Sequence, residues 1–236
     1  AISHYLGDFA RRHGARGEVA VIPNGVDVEN FQFPISNFQK GNGERLTIIT
    51  TSRLVRKNGI DILIRAFALM RSRGVPESRL QIIGGGPEEG KLKELAHSLG
   101  VAGEVEFTGQ VGADRIPEYL AGADVFCRPS RSEGLGSSFL EAMAAGLPIV
   151  ATSVGGIPDF LRDAADNRED ANGFAVAPDD PDDLADKLSR LLADEKLRVT
   201  LGEHGRQLVH ESYTWDIVAQ RMESLFEKLT ESAEIR

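Results

Sequence analysis

The residues with the clearest chemical potential lie in one stretch, Arg128-Pro129-Ser130-Arg131-Ser132-Glu133-Gly134-Leu135-Gly136-Ser137-Ser138-Phe139-Leu140-Glu141. Glu133 and Glu141 stand eight positions apart. The first falls in a Gly-rich loop, the second about one turn into the helix that this loop opens. A Gly-rich loop feeding a helix N-terminus makes an anion site, because free backbone N–H groups point outward and the helix dipole adds positive potential. A carboxylate beside such a site suits the hydroxyls of a sugar or ribose, since it can accept two hydroxyl hydrogen bonds at once. Phosphate and sugar together suggest a nucleotide-sugar.

The bulk of the sequence narrows the setting. A chain of 236 residues is one large domain or two small ones, with ample material for a core. A formal charge of -9 argues against nucleic-acid binding, although a local basic pocket could still hold phosphate. Cys127 is the one cysteine, so no intrachain disulfide can form and a cytoplasmic setting is expected. No apolar run is long enough to span a membrane, and the first residues do not read as a signal peptide. The histidines His4, His13, His97, His204 and His210 share no spacing, and no metal-ligand cluster is legible. Asp179, Asp180, Asp182 and Asp183 read as charge at a helix N-terminus.

The elements that must position these residues alternate. Short apolar runs predict strands over Leu46 to Thr51, Arg79 to Ile83, Glu104 to Thr108, Ala123 to Cys127, Pro148 to Ala151 and Gly173 to Val176. Helices are expected over Gly59 to Ser72, Pro87 to Leu99, Ala113 to Ala121, the segment bearing Glu141, and a short piece from Gly156 to Arg162. Three more follow, over Asp180 to Leu192, Glu195 to His210 and Trp215 to Thr230. Gly41-Asn42-Gly43 reads as a surface turn, Asp163 to Asn172 as an acidic loop and Asn172-Gly173 as a turn. This alternation predicts an α/β fold, a Rossmann-like parallel sheet of about six strands with helices on both faces and a helical C-terminal extension. Ligands of such sheets bind beyond the carboxyl ends of the strands. That rule selects the loops at Ser52 to Asn58, Gly84 to Pro87, Gly109 to Gly112, Arg128 to Gly136 and Ser153 to Gly156, which hold almost all the unusual residues.

With these residues in hand, the chain resembles the family 4 glycosyltransferases, retaining enzymes of two-domain GT-B architecture. Val21-Ile22-Pro23-Asn24-Gly25-Val26-Asp27 is similar to the segment that opens the family's C-terminal domain. Arg53-Leu54-Val55 with Lys57-Asn58-Gly59 resembles its phosphate-neutralising loop, and Ile83-Gly84-Gly85-Gly86-Pro87 its second Gly-rich loop. Glu133 and Glu141 match its Glu-x7-Glu signature, and Gly155-Gly156-Ile157-Pro158-Asp159 its loop after the fifth strand. One such motif is weak; the ordered set is specific. In much of the family the lysine directly precedes the glycine, whereas Asn58 stands there and Lys57 one position earlier.

The resemblance implies transfer of a hexose-type sugar from a nucleoside-diphosphate sugar to an acceptor hydroxyl, in polysaccharide or glycolipid synthesis. Arg53 and Lys57 would carry the leaving diphosphate, with no metal and no cofactor. Glu133 would meet the donor sugar and its developing charge, and Glu141 the ribose. The backbone of Gly134, Leu135, Gly136 and Ser137 would meet phosphate or sugar. Gly84 and Gly85 would contribute from the second loop, and Gly109 and Val111 would meet the base. Residues 1–17 would be a residual helix from an N-terminal acceptor domain, supplied in cis or in trans, and 18–236 the nucleotide-sugar-binding domain with its C-terminal helices over 180–236. The absent domain leads to the expectation of negligible transfer by this chain alone, of a sticky face toward that domain, and of a full-length protein peripheral to a membrane.

Each residue also has a plainer reading. Glu133, Glu141 and Arg53 could be surface charges, Gly84 to Gly86 a tight turn, Cys127 a core residue and Trp215 packing for the last helix. A stand-alone nucleotide-binding or interaction module without transfer activity is the alternative function; the presence of Glu133, Glu141 and Arg53 argues against it. A dinucleotide-binding dehydrogenase is disfavoured, because Gly84-x-Gly86-x-x-Glu89 lacks the third glycine and follows the second strand.

Overall fold

The computed structural model describes residues 1–32, 45–75, 77–166 and 169–234. The Gly41-Asn42-Gly43 turn and residues 167 and 168 of the acidic loop lie outside them. Six strands form one parallel sheet: β1 Leu46–Thr51, β2 Ser78–Ile83, β3 Val105–Gly109, β4 Val125–Arg128, β5 Ile149–Thr152 and β6 Gly173–Val176. Their spatial order is β3-β2-β1-β4-β5-β6. The chain winds outward from β1 to β3, then returns to lay β4 on the other side of β1. The connections diverge at β1 and β4, and this is where an open parallel sheet leaves a crevice.

Side-chain alternation divides the core between the two faces. Ile48, Val125, Cys127 and Val150 point into one apolar cluster with the helices α2 Ile60–Ser72, α3 Glu89–Ser98 and α6 Pro181–Ala193. Ile49, Phe126, Ile149 and Ala151 point into the other, with α4 Ile116–Ala121, α5 Ser137–Ala144 and α7 Glu195–Ser212. Both faces of the central strands are covered, so those strands are largely apolar, with Thr47, Thr50 and Thr51 of β1 buried among them. The helix α8 Trp215–Glu234 closes the chain. The described residues contain no helix long and apolar enough to cross a membrane.

Several boundaries differ from the sequence expectation, each for a local reason. β4 begins at Val125 because Asp124 turns aside and accepts a hydrogen bond from the Thr47 N–H at 2.6 Å. It runs on to Arg128, a charge that ends the apolar pattern but is buried with partners of its own. The piece expected as a helix from Gly156 is a single 3₁₀ turn, Ile157–Asp159. The fourth helix is preceded by a 3₁₀ turn, Ala113–Arg115. In the acidic run, Asp180 caps α6 by accepting from the N–H groups of Asp182 and Asp183, which lie in the first turn. Asp179 departs from that role; it takes a positive φ of 57° and pairs with Arg131. Asn172 is buried, its amide joining the Phe160 carbonyl and the Arg162 N–H.

The first helix, α1 His4–Arg12, lies against the loops at the carboxyl ends of the strands. The Asp159 carboxylate accepts from the His4 N–H at 2.8 Å, and the terminal amine donates to the Ala20 carbonyl at 2.7 Å. Large exposed apolar side chains occur on α1 (Tyr5, Phe9) and on α8 (Trp215, Phe226, Leu229). Trp215 also packs over Gly25, where an added Cβ would lie 2.7 Å from the indole.

Candidate active site

The loop after β1 carries the cations. Arg53 and Lys57 are exposed on one wall of a crevice of about 950 Å³. Neither side chain has a hydrogen-bond or ion-pair partner among the described residues, so both charges face solvent. Asn58 does different work: it is buried, and its amide donates to the Arg53 carbonyl at 2.7 Å, bracing the loop. The lysine shifted by one position therefore still presents its ammonium to the crevice, while the asparagine supports the backbone.

The loop after β4 forms the opposite wall. Glu133, Gly134, Leu135, Gly136 and Ser137 all line the same crevice. Gly136 stands just before α5 with φ 88°, and no side chain caps this helix end. The first N–H groups of α5 are thus available to an anion, opposite Arg53 and Lys57. The loop after β5 sets the height of the Glu133 loop. Gly155 has φ 59°, and a Cβ there would collide with the Glu133 carbonyl; only glycine lets the two backbones approach so closely. Gly156 donates to the same carbonyl at 3.2 Å.

A second cavity of about 360 Å³ adjoins through Arg53. Thr51, Ile83, Gly84, Gly85, Gln110, Val111 and Ile116 also line it. Gly109 closes the adjoining end of β3, its carbonyl accepting from the Gly84 N–H at 2.8 Å. Gly84 itself has φ 126°, and a Cβ there would strike the Ser52 carbonyl. A smaller, more enclosed cavity of about 140 Å³ lies beneath β4 and β5, against α7; it holds none of these residues.

Glu141 is placed differently from the other predicted residues. It sits within α5, half-buried, and lines neither of the two crevice cavities. Burial lifts its carboxyl above the ordinary value, and the attraction of Arg128 works against that lift.

Arg128 is the residue that sequence reasoning missed. Its side chain is 7% exposed and donates to the Glu133 carboxylate at 2.5 Å. It also donates to the Ser138 hydroxyl at 2.6 Å, the Thr51 carbonyl at 3.3 Å and the Ser130 hydroxyl at 3.2 Å. The Phe139 ring lies 4.5 Å beneath the guanidinium. Burial pulls the guanidinium down from its ordinary value, and Glu133 and Glu141 pull it back up. Breaking a buried pair of this kind costs about 3–5 kcal/mol, because one charge is left without its partner. The available signal was a charge at the end of an apolar strand, five residues before a carboxylate.

A second arginine holds the two walls in register. Arg131 makes two 2.8 Å bonds to Asp61 and bonds of 2.6 Å each to Asp179 and the Arg56 carbonyl. Its backbone N–H donates to the Lys57 carbonyl at 2.7 Å. Among the described residues, no group of three or more His, Cys, Asp or Glu side chains is placed to hold a metal ion.

Exposed cations and an uncapped helix end stand across from the Glu133 carboxylate at the switch point of a parallel sheet, a chemistry suited to anions and hydroxyls. Comparison with known proteins agrees. A family profile described as glycosyl transferases group 1 matches residues 32–208. The chain is 37% identical over 226 residues to the GDP-mannose-dependent alpha-(1-6)-phosphatidylinositol monomannoside mannosyltransferase of Mycobacterium tuberculosis, covering 91% of this chain and 57% of that protein. Among solved structures it is similar to sucrose-phosphate synthase from Thermosynechococcus elongatus, at TM-score 0.83 and 26% identity over 98% of this chain and 57% of that one. It is also similar to HepE from Anabaena in complex with UDP and glucose, at TM-score 0.81 and 25% identity over 98% of this chain and 62% of that one. The chain thus spans less than two thirds of each of these proteins. By its profile match and its relatives, this chain, with the Rossmann-like architecture of one half of a GT-B enzyme, belongs to the group 1 glycosyltransferases.

Proposed function

We propose that this chain is the donor-binding half of a retaining glycosyltransferase that moves a hexose-type sugar from a nucleoside-diphosphate sugar to an acceptor hydroxyl. The observation that carries the reading is the single crevice in which Arg53 and Lys57 face Glu133 and the open end of α5. The diphosphate would lie between the cations and the helix end. As the sugar–phosphate bond breaks, negative charge grows on the diphosphate, and preorganised positive groups there lower the barrier. Arginine can grip phosphate in a bidentate fashion and lysine adds a point charge. The reading assigns this charge to Arg53 and Lys57 instead of a divalent cation.

Glu133 would accept hydroxyl hydrogen bonds from the sugar and oppose positive charge on its ring. The adjoining cavity at Gly84, Gly85 and Val111 has a place for the base, with Gly109 shaping its end and Gln110 on its wall. Glu141 would take the ribose. Relatives named as acting on GDP-mannose and on phosphatidylinositol mannosides support a glycolipid acceptor, and a solved neighbour with bound UDP supports a nucleotide in the crevice. Transfer needs the acceptor held against the donor, and that step is assigned to a second domain, in cis or in trans.

Calorimetric titration of the chain with UDP, GDP and ADP tests the proposal. One nucleotide should bind with saturation, and Arg53→Ala and Lys57→Ala should each weaken it by about 1.5–3 kcal/mol, the range for hydrogen bonds to charged groups. Failure of all three to bind would overturn the reading.

A further inference from the structure

We infer that Arg128 is a positioning residue of the donor site: its guanidinium fixes Glu133 in place and supplies the positive charge that acts on the neighbouring Glu141. This inference rests on the donor-site reading above.

The geometry carries it. All three nitrogens of the guanidinium are used, and each reaches a different part of the site. Nε donates to Ser130 just beyond β4 and Nη2 to Glu133 in the Gly-rich loop. Nη1 donates to the last carbonyl of β1, at Thr51, and to Ser138 in the first turn of α5. The aromatic face of Phe139 fixes the plane. Such a fork suits arginine, whose donors lie in one rigid plane, and not lysine. Glu133 is anchored at both oxygens, Oε2 by Arg128 and Oε1 by the Gly134 N–H at 3.0 Å. Each oxygen keeps a lone pair for a ligand hydroxyl.

The charge matters as much as the shape. Glu133 lines the crevice and Glu141 sits behind it within α5, so two carboxylates stand near the proposed diphosphate. Arg53 and Lys57 serve the phosphate wall, across from Glu133. The helix α5 packs on α7, β5 and the turn Val28–Phe31, but the charge acting on Glu141 comes from Arg128. A carboxyl group that takes up a proton loses part of its capacity to accept hydroxyl hydrogen bonds. Without Arg128, Glu141 would take up a proton at higher pH.

The test is the pH dependence of nucleotide binding by the intact chain. UDP, GDP and ADP are titrated from about pH 4, near the ordinary carboxyl value, up to about pH 8. The wild type should lose affinity on the acid side as Glu141 protonates. Arg128→Met should move the midpoint of that loss upward by about one pH unit or more, the usual influence of a nearby opposite charge. Arg128→Lys should return the midpoint toward wild type while leaving the affinity lower. If Arg128→Met alone does not fold, the double variant Arg128→Met with Glu133→Gln removes the unpaired buried charge, and its midpoint should also move upward. A loss that is uniform across pH, or an unmoved midpoint, would reduce Arg128 to a structural residue and overturn the inference while nucleotide binding stands. Failure of the wild type to bind any of the three would overturn the donor reading and this inference together.

Discussion

Arg131→Ala should weaken the fold and the site at once, by an amount the structure allows to be estimated. The side chain makes four hydrogen bonds, of which three end on carboxylates. Hydrogen bonds to charged groups contribute about 1.5–3 kcal/mol each when buried. Exposure reduces that here, since Asp61 is 38% and Asp179 56% exposed, and exposed pairs contribute about 0.2–1 kcal/mol each. The expected loss is therefore about 2 kcal/mol, which for a chain of this size lowers the melting temperature by about 4–8 °C.

The loss should depend on pH. Burial alone would raise the Asp61 carboxyl, but hydrogen bonding and attraction from Arg131 outweigh it, and the net direction is downward. A group held below its unfolded value contributes stability above that value, near pH 4, and loses it as pH falls through the folded one. The gap between wild type and variant should be full at pH 7 and shrink below about pH 4. Thermal unfolding followed by circular dichroism at both pH values measures this. A drop of less than about 2 °C at neutral pH, or the same drop under acid, would refute the reasoning. The Arg131 side chain also ties the Arg56 carbonyl, next to Lys57, to the Glu133 loop at 2.6 Å, so nucleotide affinity should fall in the same variant.

Other perturbations separate the roles of the loops. Gly155→Ala forces a side chain into the left-handed region against the Glu133 carbonyl, so it should cost about 2 kcal/mol of stability and weaken nucleotide binding; Gly85→Ala meets nothing within 4 Å and should leave the melting temperature unchanged. Both are read by thermal unfolding and calorimetry. Burial pushes the Cys127 thiol far up from its ordinary value, so an alkylating reagent should leave it unmodified in the native chain and react after unfolding. Nucleotide binding should be unchanged by a chelator if Arg53 and Lys57 carry the diphosphate; a large loss on adding EDTA would shift that role to a metal.

The parallel sheet was legible because Ile48 and Ile49, or Phe126 and Cys127, must each face a covered layer, which puts consecutive apolar residues in the strands. The crevice was legible because Arg53, Lys57 and Glu133 fall in loops that follow strands, and strand ends are where such sheets bind ligands. The roles of two arginines were not. The partners of Arg131 stand 70 and 48 residues away, and only the order of β1, β4 and β6 in the sheet brings them together. Arg128 looks like the polar end of a strand until Thr51 and Ser138 close around it. The contact of the first helix with Asp159 was not legible either, because the two stand 155 residues apart.

The most direct test of the donor-site account is a crystal structure of the chain with the nucleoside diphosphate that binds it. The account predicts the diphosphate between Arg53, Lys57 and the N-terminus of α5, with the base against Gly84, Gly85 and Val111. A nucleotide seated elsewhere, with the crevice between the β1 and β4 loops left to solvent, would contradict it.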